Sequence, residues 1–369
     1  MDWTFPVTGA ITAHLELAAG SVEVELGPTD EAKVRPTPLG RDSDRAQEQI
    51  AQAEVSCDGS RLDVIVPKRW TREVELRLNV VLPAHSALHV RTASADIACT
   101  GPIGVFEAKT ASGDVFVQDD CDGAEINTAS GDVRLASVLG EVDVKTASGD
   151  VVTHAIGGRL SIVTASGDVR ATSLAHDARI RAASGDITIG TAFDGDLSVN
   201  TVSGDVKIGV GAGVGTWLDL VTVSGTTRCT LPAEGDGKSA ATLRISCHTV
   251  SGDILIRSGD AATTPPADGS DAGSGSDSTP EAGPVGSIPA GPGEFSPTAG
   301  PAGDPAATLS TTDLFSMPDW TRNSGESVIP SSAADMLSGL GAALGDLNLE
   351  RFASWKEIAR RQWWKPETR

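Results

Sequence analysis

Eight aspartates recur along the middle of this chain: Asp96, Asp114, Asp132, Asp150, Asp168, Asp186, Asp205 and Asp253. Each has Ser, Thr or Gly at fixed offsets. If the chain stacks these carboxylates in a column, two chemistries become available. Oxygen ligands in a row could hold a hard cation such as Ca²⁺, or the column could display negative charge to a basic partner. The accompanying hydroxyls could form a flat regular face, of the kind that meets ice or a crystal surface.

The spacing says what must position these residues. They belong to a motif, T-[AV]-S-G-D-[VI], that begins at Thr92, Thr110, Thr128, Thr146, Thr164, Ala182, Thr201, Thr222 and Thr249. The copy at Thr92 reads TASAD and the copy at Thr222 ends TVSGT. The first five steps are 18 residues each, and the later ones are 19, 21 and 27. A fixed period of this size is the signature of a solenoid. Apolar residues within one copy alternate, as at Val133, Leu135, Val138, Val142 and Val144. A single copy cannot bury them, whereas stacked copies place like over like about 4.8 Å apart. About nine coils would then make a rod roughly 40 Å long.

In that arrangement the motif is a corner. Glycine permits a backbone turn that a Cβ forbids, and the aspartate beside it can bond a nearby backbone N–H. The corner pairs are Gly113 and Asp114, Gly131 and Asp132, Gly149 and Asp150, Gly167 and Asp168, Gly185 and Asp186, Gly204 and Asp205, and Gly252 and Asp253. A bend-forming aspartate outweighs an ion ligand, because the nonapeptide GGxGxD pattern of Ca²⁺ solenoids is absent.

Four segments follow from the pattern. Residues 1–90 alternate with period 2, as in Ser21-Val22-Glu23-Val24-Glu25-Leu26, and form the β-rich start or cap of the solenoid, with one short helix expected between Arg41 and Ala53. Residues 91–257 carry the repeats. Residues 258–329 are dominated by Gly, Pro, Ser and Asp, and read as a disordered linker. Residues 330–365 show apolar residues at helical spacing: Leu337, Leu340, Leu344 and Leu347, then Phe352, Trp355, Ile358 and Trp363. This amphipathic helix or helix pair is expected to dock through Trp355, Ile358, Arg360, Arg361, Trp363 and Trp364. Its basic and aromatic character suits an acidic partner protein, an anionic membrane surface, or the open end of the solenoid itself.

Composition narrows the function classes. The 369 residues carry a formal net charge of −21, with 4% aromatics and no Tyr. An acidic body repels phosphate backbones, so nucleic acid is not an expected partner. Five cysteines without metal-ligand spacing predict free thiols in a reducing compartment. The N-terminal residues lack a basic stretch followed by an apolar one, and no 18-residue apolar run occurs. The expected location is the cytoplasm, with peripheral contact at the membrane.

Catalytic signals are weak throughout. The carboxylates form a ladder rather than a unique pair. Gly237-Lys238-Ser239 lacks the first glycine of a phosphate loop, which would fall at Pro232. His85 and His89 lack the glutamate of a zinc helix. No catalytic residue, cofactor or metal is expected.

The stretch from Val74 to Gly101, VELRLNVVLPAHSALHVRTASADIACTG, followed by reiterated TASGDV, resembles the DUF4097 family of the toastrack group, whose members are often labelled candidate adhesins. The likeness spans residues 10–257. It implies an all-β fold, a single-stranded, right-handed parallel β-helix with coils of about 18 residues, followed here by the linker and the short helical segment. It also implies a link to cell-envelope stress and surface processes, and it supplies no catalytic residues. The expected function is a non-enzymatic scaffold or binding protein. The alternatives are an exported adhesin-like envelope protein and a glycan-active β-helix enzyme.

Overall fold

The computed structural model describes residues 2–39, 43–67, 74–231 and 242–259. Its 22 strands belong to one continuous sheet wound into a solenoid. The N-terminal part comprises β1 (Trp3–Pro6), β2 (Thr12–Gly27), β3 (Glu31–Pro38), helix α1 (Ser43–Ala51), β4 (Glu54–Cys57), β5 (Arg61–Ile65) and β6 (Leu76–Pro83). The winding continues through β7 (Ala87–Thr100), β8 (Ile103–Ser112), β9 (Val115–Ser130) and β10 (Val133–Val138). Regular coils follow as pairs: β11 (Val142–Ser148) with β12 (Val151–Ile156), β13 (Leu160–Ser166) with β14 (Val169–Leu174), and β15 (Ala178–Ser184) with β16 (Ile187–Ala192). The last three pairs are β17 (Gly195–Ser203) with β18 (Val206–Val210), β19 (Thr216–Ser224) with β20 (Thr227–Cys229), and β21 (Leu243–Ser251) with β22 (Ile254–Ser258). The C-terminal helical segment and the linker expected from sequence lie outside the described residues.

Each coil has two strands, one before the motif corner and one after it. Within the repeats, like strands pair in parallel with a register of one coil, as in Val144 beside Ile162 and Ile162 beside Ile180. Alternate residues therefore point into a core made of columns. The [VI] position of the motif gives one of them, running Val22, Ile97, Val115, Val133, Val151, Val169, Ile187, Val206 and Ile254. Every member is at most 1% exposed, so burial of each contributes about 1.5–3 kcal/mol.

The N-terminal end of the stack is sealed. There β3 pairs antiparallel with both β1 and β6, and β4 pairs antiparallel with β5. Helix α1, inside the window expected from sequence, turns Ala46 and Ile50 into the core. The Gln49 side-chain amide donates to the Pro67 carbonyl at 3.0 Å.

The order of the last coils departs from the sequence. Strand β17 pairs with β21, and β21 pairs in turn with β19. On the other side β18 pairs with β22, which pairs with β20. The chain thus skips one position after β18, lays down β19 and β20, and returns to fill the gap with β21 and β22. The motif copy at Thr222, not the final copy at Thr249, forms the terminal rung.

Candidate functional site

The corners hold most of the residues that the sequence marks as chemically interesting. The corner glycines from Gly113 to Gly252, Gly225 of the variant copy included, all have positive φ, between +124° and +155°. Each also lies against the backbone of the coil before it. A Cβ on Gly149 would fall 2.2 Å from the Gly131 carbonyl oxygen. The glycine serves both the turn and the close approach.

The aspartates tie coil to coil. The Asp114 N–H donates to Asp96 Oδ1 at 3.0 Å, and the same bond recurs from Asp132 to Asp114, Asp150 to Asp132, Asp168 to Asp150, and Asp186 to Asp168. It continues from Asp205 to Asp186 and from Asp253 to Asp205. The last acceptor is Asp253, which receives the Thr226 N–H at 2.7 Å. The Thr226 N–H, and then the Thr226 hydroxyl, hold the Asp253 carboxyl below its ordinary range. Second oxygens at three corners meet arginines: Asp132 pairs with Arg134 at 2.9 Å, Asp168 with Arg170 at 2.8 Å, and Asp150 with the same Arg170 at 3.8 Å. Among the described residues no group of three or more His, Cys, Asp or Glu side chains is placed to hold a metal ion.

This direction of bonding explains the variant TVSGT. Each carboxylate accepts an N–H from the next coil. The terminal rung has no next coil within the described residues, and it carries Thr226 where the others carry aspartate.

The threonine column is not a display face. Thr110, Thr128, Thr146, Thr164, Thr201 and Thr249 are at most 5% exposed. Thr146 and Thr164 donate to the carbonyls of Ser148 and Ser166 two residues on, while Thr92 bonds Thr110. The hydroxyl of Thr128 is buried without a hydrogen-bond partner. Replacing Thr128 with Val keeps the shape and removes that orphan, so a gain of about 1 kcal/mol is expected. A loss in urea midpoint would show instead that the hydroxyl is satisfied. Of the two hydroxyls in a regular corner, it is the serine, such as Ser148, that faces solvent.

The two broad faces carry columns of outward side chains. On the face built from the first strands, most bases meet carboxylates: Arg91 with Glu16, Lys109 with Glu107, and Lys145 with Asp143. Arg179 and Arg181 differ. Their neighbours in the stack are Ser161 and Ser198, and Val163 and Asn200, and no carboxylate pairs with either among the described residues. On the other face a shallow open depression of about 190 Å³ lies among Asp205, Lys207, Thr226, Arg228, Asp253 and Leu255.

Near the N-terminal end of the first face, His14 and His89 stack with ring centroids 4.5 Å apart. His89 Nδ1 lies 2.8 Å from Glu107 Oε2. Burial, then the neighbouring His89 and Arg61, push the His14 pKa below 6.5, against the opposing pull of Asp63. The unfolded chain therefore takes up a proton at His14 before the folded one does. Stability contributed here is present above pH 6.5 and falls as the pH drops below it. A His14→Gln variant should lose less stability between pH 7.5 and pH 5.5 than the parent. Parallel denaturation midpoints for the two across that range would contradict this.

All five cysteines are free. Desolvation raises the Cys99 thiol pKa, and pushes those of Cys121 and Cys247 up to about 11 and about 12. The buried thiols are therefore inert packing groups. Cys229, in the terminal rung, is exposed.

The docking residues expected at Trp355, Ile358, Arg360, Arg361, Trp363 and Trp364, and the decoy at Gly237-Lys238-Ser239, lie outside the described residues. Sequence reading also missed one coil. Leu17-Ala18-Ala19-Gly20-Ser21-Val22 occupies the corner beside Thr92 to Ile97. Its signal is a glycine, φ +119°, in the motif's fourth position, but Leu and Ser replace the Thr and Asp that mark the pattern.

No helix of the described residues is long and apolar enough to cross a membrane. No curated protein matches the sequence. Among solved structures, a candidate adhesin from Parabacteroides merdae is similar at 8% identity and a TM-score of 0.39, covering 69% of this chain and 95% of that one. A candidate adhesin from Bacteroides fragilis shows 11% identity and a TM-score of 0.34, with 69% and 96% covered. A candidate lipid-binding protein from Parabacteroides distasonis gives the same identity, score and coverage. The toastrack family model matches residues 13–257, which takes in the solenoid from β2 to β22, and the chain belongs to this DUF4097 family.

Proposed function

We propose that the protein is a non-enzymatic binding scaffold, in which the solenoid displays its faces and the C-terminal segment docks a partner protein or an anionic membrane surface. The observation that carries this reading is the division of labour within the repeat. Corner carboxylates accept the N–H groups of the next coil, and threonines are buried. The repeat's reactive-looking groups thus hold coils together, while Arg179 and Arg181 on a flat face have no carboxylate partner among the described residues. Flat faces with isolated cations suit recognition of an acidic surface; they do not assemble a general acid and base across a cleft. Free thiols suit a reducing compartment, so we read the protein as cytoplasmic, with contact at the membrane periphery in cell-envelope stress or surface processes.

Co-purification from cells, together with co-sedimentation on phosphatidylglycerol vesicles, tests the reading. Full-length protein, a form lacking residues 330–369 and an Arg179→Ala/Arg181→Ala variant are compared. The full chain should retain a partner or vesicles that the truncated form loses. Identical retention by all three would refute the docking role. Recovery from the cell exterior would favour the adhesin-like alternative, and polysaccharide turnover abolished by one carboxylate substitution would favour the enzyme.

A further inference from the structure

The two ends of the stack are built differently. At the N-terminal end, helix α1 and the antiparallel strands cover the core. At the other end nothing among the described residues pairs with the free edge of β19 and β20. Core columns simply stop there. Leu197 and Ile245 lead to Leu218, Val199 and Cys247 lead to Leu220, and Ile208 and Ile256 lead to Cys229. The earlier members of each column are at most 2% exposed, yet Cys229 is open to solvent. Trp217 and Val223 on the same rung are 48% and 57% exposed. A solenoid end of this kind is a liability that proteins cover.

We propose that this chain covers its own open end, through the leucine stripe Leu337, Leu340, Leu344 and Leu347 seated over Leu218, Leu220 and Cys229. Three observations select this occupant. Residues 260–369, 110 in all, continue from Gly259 at the end of β22, which is the direct neighbour of terminal strand β20. The 77 residues between Gly259 and Leu337 are ample chain to bring the tethered stripe back to that end. The stripe also repeats the solution used at the opposite end, where α1 presents Ala46 and Ile50 four residues apart. Finally, the terminal rung carries Thr226 instead of aspartate. Its corner offers no carboxylate to a further β-coil, which argues for a helical cover over an added strand. The net charge of −21 disfavours a second copy in that place. The basic residues from Arg351 onward stay outside the contact, so the cap and the docking role are separate.

Cys229 reports the outcome. In full-length protein carrying Cys57→Ser, reaction of Cys229 with a disulfide dye should be at least about tenfold slower than in the same protein with Leu340→Asp and Leu344→Asp, because the cap must open first. The protection should be independent of protein concentration. Equal rates in the two forms would overturn the proposal. Protection that grows with concentration, together with a dimer in light scattering, would overturn it in favour of a second copy. Partner and vesicle retention by the aspartate variant, measured alongside, reads the docking role separately.

Discussion

Gly149→Ala is expected to destabilise the solenoid by roughly 4 kcal/mol, about 1–3 from the backbone conformation and about 1–3 from overpacking. Gly149 has φ +136°, where L residues are strained. The added methyl would meet the Gly131 carbonyl oxygen at 2.2 Å and its carbon at 2.8 Å. Both are backbone atoms, held in turn by the ladder on either side, so no side chain can swing away to make room. Gly213 provides the control. Its φ is +74°, but a Cβ there meets nothing within 4 Å, so only the left-handed cost of about 1–2 kcal/mol applies. Urea denaturation of the two variants should separate them clearly. Equal midpoints would mean that coil contact adds nothing to conformational strain at the corner.

That contrast also marks what sequence could supply. The 18-residue beat, the alternation of strands and the glycine corners follow from local rules, because each coil must turn in the same way and bury the same positions. The helix expected between Arg41 and Ala53 is α1, Ser43–Ala51. The partner of each corner aspartate was less legible. A bend-forming aspartate ordinarily bonds its own turn, whereas Asp150 accepts the N–H of Asp168, one coil away. Local pattern says that a carboxylate is needed and not whose N–H it takes. The facing of the threonines was left open for a similar reason. Thr has strong preference for strands whether it faces in or out, and only the register shows Thr164 in the buried column.

The order of the final coils was the least legible feature. Copies at Thr201, Thr222 and Thr249 present nearly the same residues to a neighbour, so any of them can stack on any other. The skip depends on connection lengths and not on strand chemistry. From Val210 to Thr216 the chain has a short link with which to pass over one rung, and the stretch between Cys229 and Leu243 brings it back. One local cue existed. Thr226 breaks the aspartate column at the copy whose carboxylate would have no further coil to serve among the described residues. A departure from a repeat consensus is thus informative about position in the stack, once the direction of the bonds is known.

A second large effect is expected at Ile162→Ala, which should cost about 3–4 kcal/mol, within the range for buried Ile truncation. Ile162 is fully buried between Val144 and Ile180. The neighbouring coils cannot collapse into the space, because backbone ladders above and below fix their separation. Contacts in a solenoid run only between adjacent coils, so hydrogen exchange should accelerate in β11, β13 and β15 and remain unchanged in β2 and β6. A cost below about 1 kcal/mol would show that the column relaxes. Leu218→Ala removes a side chain of the same volume from the terminal rung, where β21 is the one strand partner among the described residues. If the leucine stripe covers that rung, Leu218→Ala should cost more in the full chain than in the Leu340→Asp/Leu344→Asp background, and the difference is the coupling between cap and end. A vanishing coupling would leave Leu218 an edge residue with one neighbour. A coupling near the cost of a buried leucine would make the last rung as interior as Ile162, and the rod a closed core at both ends.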